Sequence, residues 1–119
     1  MTRFPGAVLL LLLSACLGPP APDQDLCIDV ITRLCLSPIC ADAARVLSVD
    51  QATCVQTLST RTGCSDPNFV FNSPSRARVL DCRAPLVKTT GLRTANPACE
   101  DVSSLLNNCP DVVSFLNGG

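Results

Sequence analysis

Leu26-Cys27-Ile28-Asp29-Val30-Ile31-Thr32-Arg33-Leu34-Cys35 is the stretch that decides the fold. Cys27, Val30, Ile31, Leu34 and Cys35 recur at spacings of three and four, the period of one helix face. Asp23 or Asp25 stands ready as N-cap, and the helix is expected to stop before Ser37-Pro38. Two cysteines eight residues apart on a helix lie about 12 Å apart, too far for a disulfide. Cys27 and Cys35 must therefore each bridge to another element.

Downstream, Pro38 to Val46 predicts a second, shorter helix through Ala41, Ala43 and Ala44. Ser48-Val49-Asp50-Gln51 matches a capping box, with Ser48 at N-cap and Gln51 three residues on. The helix it opens should turn Ala52, Val55 and Leu58 inward and stop near Gly63, a candidate left-handed residue. Ser65 to Asn72 is the least helical stretch, with Asp66-Pro67-Asn68 as a turn. Ser73-Pro74 reads as N-cap and first residue of a helix through Ala77, Leu80 and Ala84. Leu86 to Ala95 reads as loop.

Asn96-Pro97 repeats the start signal, and the helix beyond it places Val102, Leu105, Leu106 and Cys109 on one stripe, with Glu100 and Asp101 in its first turn. Pro110-Asp111 opens a last short helix through Val112, Val113 and Leu116. The expected fold class is all-α: a small disulfide-rich bundle of five or six short helices. Cys54 and Cys64 are ten residues apart, as are Cys99 and Cys109, a faint internal duplication at an offset of 45.

The eight cysteines of this region are Cys27, Cys35, Cys40, Cys54, Cys64, Cys82, Cys99 and Cys109. They include no C-x-x-C, and the chain has no histidine, so neither a zinc ribbon nor a thioredoxin-like motif is present. Structural disulfides are the reading that remains, with no metal and no cofactor implied. Eight cysteines allow 105 pairings. Helical separation excludes Cys27–Cys35, Cys54–Cys64 and Cys99–Cys109 if the intervening chain is helical.

Working back toward the start, Leu17 to Asp25 holds Pro19, Pro20 and Pro22, and such a segment favours an extended polyproline form, a tether of roughly 25–30 Å. Before it, Arg3 is the lone charge in the first sixteen residues, and Ala7 to Leu13 is an unbroken apolar run of seven. This is the pattern of a secretory signal, too short to span a bilayer, which needs roughly 20 helical residues. At its end, Leu13-Ser14-Ala15-Cys16 resembles the lipobox of bacterial lipoproteins, an aliphatic residue and two small ones before a cysteine. The resemblance covers only these opening residues. It implies cleavage after Ala15, a diacylglyceryl group on the Cys16 thiol, and often acylation of the new amine. Cysteine parity agrees, because nine minus one lipidated residue leaves an even eight. The domains expected are a signal peptide at 1–15, a lipidated cysteine and tether at 16–25, and a cysteine-rich helical domain at 26–119. Two or three acyl chains hold a protein stably at a membrane, whereas one does not. In the lipoprotein family an Asp after the lipidated cysteine can retain the protein at the inner membrane. Leu17 stands there, so an exported, envelope-anchored protein is expected, at the outer membrane if two are present.

The mature side chains carry 8 cations against 10 acids, a balance of −2. That excludes the strongly basic character of a nucleic-acid binder. A serine nucleophile would need Lys88 as base, since there is no histidine and no other lysine, and there is no G-x-S-x-G. No catalytic residue is nominated, and the chain is not expected to be an enzyme. Charge is uneven, however. Arg76, Arg78, Arg83, Lys88 and Arg93 face only Asp81 within their stretch, a local balance of 5 − 1 = +4. Arginine forks suit carboxylate and phosphate, so this region is the candidate contact for an anionic envelope polymer or an acidic protein. The expected role is a membrane-anchored binding module; a structural envelope protein and an exported inhibitor presenting Leu86 to Ala95 are the alternatives.

Overall fold

The computed structural model describes residues 20–36, 40–91 and 93–119. Cys16, the leader and the first part of the tether lie outside the described residues. Six α-helices make up the described domain: α1 (Asp23–Leu36), α2 (Ala41–Leu47), α3 (Cys54–Thr62), α4 (Arg76–Arg83), α5 (Cys99–Asn108) and α6 (Pro110–Leu116). A 3-10 turn (Ala84–Leu86) follows α4. The chain folds as the all-α disulfide-rich bundle that its periodicity requires.

Leu26, Cys27, Val30, Ile31, Leu34 and Cys35 are the buried face of α1. Four disulfides join Cys27 to Cys64, Cys35 to Cys54, Cys40 to Cys99 and Cys82 to Cys109. None of the three pairs that helical separation rules out is formed. The first two bonds link the start of α1 to the end of α3 and the end of α1 to its start, so the two helices run antiparallel. The other two tie α2 to α5 and α4 to the α5–α6 corner. Leucine and isoleucine from separate elements meet between these bonds: Ile31, Leu47, Leu58, Leu86, Leu105 and Leu116 are essentially inaccessible. The duplication at offset 45 does not extend to the bonds. Cys54 and Cys64 both reach α1, whereas Cys99 and Cys109 reach different elements.

Several element starts differ from those read in the sequence, each for a local reason. Ser48 is not an N-cap: it ends α2 in the left-handed region (φ 50°), with its N–H bonded to the Ala44 carbonyl. The N-cap of the next helix is Thr53 instead, whose N–H and hydroxyl donate to the Asp50 carboxylate at 2.9 Å each. Gln51 donates to the Cys35 carbonyl at 2.9 Å, closing the end of α1. Ala52 and Val55 are consequently exposed and only Leu58 of that trio is buried. Gly63 does end α3 with φ 78°. Ser75, not Ser73, caps α4, accepting from the Arg78 N–H at 3.2 Å. The buried stripe there is Val79, Cys82 and Leu86, and Ala77, Leu80 and Ala84 face solvent. Helix α5 starts after Ala98, whose N–H donates to the Asp101 carboxylate at 2.8 Å. Helix α1 starts at Asp23, three residues before Leu26, which shortens the expected tether.

Leu86 to Ala95 is not simply loop. Lys88–Thr90 (β1) and Arg93–Ala95 (β2) form an antiparallel hairpin in the register Lys88↔Ala95, Thr89↔Thr94, Thr90↔Arg93. Gly91 (φ 64°) supplies the positive φ that a two-residue hairpin turn requires.

Loop-closure entropy ranks the disulfides. Cys40–Cys99 closes 59 residues and Cys35–Cys54 closes 19, corresponding to about 4 and about 3 kcal/mol of stabilisation in the chain-entropy model. Paired Cys→Ala replacement at Cys40 and Cys99 is therefore expected to lower the denaturation midpoint more than replacement at Cys35 and Cys54. Equilibrium urea unfolding of the two double variants checks the order.

Candidate functional site

The five cations picked out by charge lie on α4 and the hairpin, and the fold brings acids from elsewhere to most of them. Arg76 donates to Asp23 of α1 at 2.6 Å, and Arg83 donates to Asp29 of α1 at 2.8 Å. Asp29 also accepts from Arg33, one turn along its own helix, at 2.9 Å. The Arg78 fork grips both oxygens of Asp111 on α6, at 2.9 and 3.1 Å, and also donates to the Asn108 carbonyl. Lys88 reaches Asp101 on α5 at 2.9 Å. Including these four carboxylates, the local balance becomes 5 − 1 − 4 = 0. Arg93, exposed on β2 beside the turn, is the one member of the set with no ion-pair partner among the described residues.

These pairs stitch helices together. Asp23 also accepts the Phe71 N–H at 2.9 Å, joining α1, the 65–72 segment and α4 at one carboxylate. The Phe71 amide, and then the Arg76 guanidinium, hold the Asp23 carboxyl below its ordinary range. Asp111 is held low chiefly by Arg78, Asp101 chiefly by Lys88, and Asp50 by the Thr53 amide and hydroxyl. In return Asp111 raises Arg78, and Asp101 raises Lys88. Arg61, outside the sequence-derived set, donates to the Leu47 carbonyl and, at 2.9 Å, to that of Ser48. A cation thus meets the carbonyl end of α2, where the helix dipole favours it. Nothing in the local charge count around Arg61 signals this role.

Cys82, Cys109 and Asp111 place ligand-type atoms within 4.8 Å of one another. The two sulfurs are bonded to each other and Arg78 occupies the carboxylate, so they do not form a metal centre. Near the hairpin, Val87 and Arg93 are both exposed. The segment that carries them begins after Cys82 and ends before Cys99, each held by a disulfide to another element.

No family model, curated protein or solved structure matches this chain. Its chemistry has to be read from its own residues.

The pH dependence of stability follows from the shifted groups. The folded chain binds protons at Asp23, Asp50, Asp101 and Asp111 more weakly than the unfolded chain, whose ordinary value is 3.8. Their contribution is complete above about pH 4 and is lost as pH falls through the lowered folded values. Lys88, raised above 10.5, contributes below that value and loses its contribution as pH rises past it. With no histidine in the chain, the thermal midpoint is expected to be flat from roughly pH 5 to 8. It should decline at both extremes, as a scanning-calorimetry series would register.

Proposed function

We propose that the chain is an exported lipoprotein whose disulfide-locked helical domain acts as a binding module at a membrane surface. The observation that carries this reading is the closed account of its cysteines. All eight from Cys27 onward pair with one another. Cys16 is left with no thiol partner in its own chain, and it sits in a segment resembling a lipobox. Four disulfides favour an oxidising compartment, and acyl chains at Cys16 would keep the domain at the envelope. Leu17 favours the outer membrane where two membranes exist.

Within this reading the contact for an anionic envelope polymer or acidic protein centres on the hairpin. Arg93 is the cation of this set without an ion pair among the described residues, and Lys88 and Arg78 are each about two-fifths exposed in pairs that solvent and competing anions can reach. Arg76 and Arg83 serve as fasteners between α4 and α1. The inhibitor reading gains one support: the hairpin is bracketed by disulfide-bonded Cys82 and Cys99, as a rigid presented segment would be.

Intact mass from the native membrane fraction tests the anchor. The expected mass begins at Cys16, carries acyl chains, and gains eight hydrogens on reduction of the four disulfides. An unlipidated mass beginning elsewhere overturns the reading. For the contact surface, Arg93→Ser should weaken retention on a polyanionic matrix at low ionic strength while leaving the thermal midpoint unchanged. Arg76→Ser should do the reverse, lowering the midpoint with little effect on retention.

A further inference from the structure

We infer that the loop carrying Val70 is a second membrane contact, which seats the domain on the lipid surface that holds its own anchor. This rests on the proposed lipidation of Cys16. Because α1 begins at Asp23, only six residues lie between it and Cys16, seven Cα–Cα steps in all. Fully extended, they reach at most about 25 Å. The first turn of α1 therefore stays close to the lipid headgroups whatever the tilt of the domain.

The 65–72 segment is fastened to that first turn. The Phe71 N–H donates to Asp23 at 2.9 Å, and the Gln24 side-chain amide donates to the Ser65 carbonyl at 3.3 Å. Between these two ties stands Val70, 71% exposed, against 39–52% for the other exposed large apolar side chains described. Single exposed apolar residues are ordinary; the placement of this one is not. Phe69 and Phe71 on either side turn inward and stack with each other and with Phe115, at centroid distances of 4.9, 6.0 and 5.8 Å. Val70 is thus held outward by both neighbours, at the end of the domain where the tether enters.

The charge there selects the surface. Asp66 is the one charged residue of the 65–72 segment, and its carboxylate accepts the Asn68 N–H at 2.8 Å. Asp23 is offset by Arg76, and Asp25 is exposed beside them. This end is weakly acidic, so a zwitterionic bilayer suits it better than a strongly anionic one. A lone valine would not hold a protein to a membrane. Tethering makes the contact intramolecular, and a weak contact then sets orientation.

The chain contains no tryptophan, so one introduced indole reports alone. The mature lipoprotein is reconstituted in phosphatidylcholine vesicles as Val70→Trp and, separately, as Val55→Trp. Val55 is also exposed and follows Cys54, whose bond to Cys35 places it at the opposite end of α1. Circular dichroism of both variants verifies the fold. Val70→Trp is expected to show a blue-shifted emission that brominated lipid quenches, and Val55→Trp neither. Acylated protein in which Val70→Trp is unquenched, or in which both variants are quenched alike, overturns the seating. A mass without acyl chains overturns the anchor, and the seating with it, and is told apart by the mass spectrum alone.

Discussion

Helix α1 is bonded at both ends to one neighbour, and the rest of the domain depends on that constraint. Cys27 and Cys35 stand on the same face of a rigid rod, and Cys54 and Cys64 meet them from α3 and the residue beyond Gly63. Two crosslinks between two rods fix their separation, direction and roll, which a single crosslink would leave open. Ile31 and Leu58, both fully buried, fill the space that results. A domain with no tryptophan or tyrosine and three phenylalanines has few large side chains with which to build a core. Covalent staples compensate by removing freedom from the unfolded chain.

Around this pair the polar groups act mainly as connectors. Asp23 and Asp29 on α1 take Arg76 and Arg83 from α4, so a second helix is held to the spine without a disulfide between them. Asp111 and Asp101 take Arg78 and Lys88 in the same manner from α6 and α5. Each such pair, partly exposed, is worth little alone. Their shared role is to set which faces meet, and in doing so they cancel a cationic stretch that stands out in the linear sequence. The contacts proposed for outside partners are smaller: the hairpin with Arg93, and the apolar point at Val70.

The helices were legible where periodicity and cysteine spacing agreed. The stripe of α1, the stop at Gly63, the start at Pro110 and the three excluded cysteine pairs all follow from helix geometry alone. The caps were less legible because several residues compete for each one. Thr53, held by Asp50, displaced Ser48 as N-cap, and Ser75 displaced Ser73, since the position of a cap depends on where the previous element ends. The hairpin was written in Thr89, Thr90, Gly91 and Thr94, β-branched residues around a glycine turn, but three-residue strands give too short an alternation to stand out. Ion pairing was the least legible feature. Asp23 is 53 residues from Arg76, and no local count of charge reveals that the fold brings them together.

If α1 is the spine, its amides should open only when the whole domain unfolds. Hydrogen exchange on the oxidised protein, read at single-residue resolution, addresses this directly. The amides of Val30, Ile31 and Leu34 should be among the slowest and share one opening free energy with Leu58, while those of the hairpin exchange sooner. Exchange of the α1 amides by local opening, ahead of α4 and α6, would contradict it.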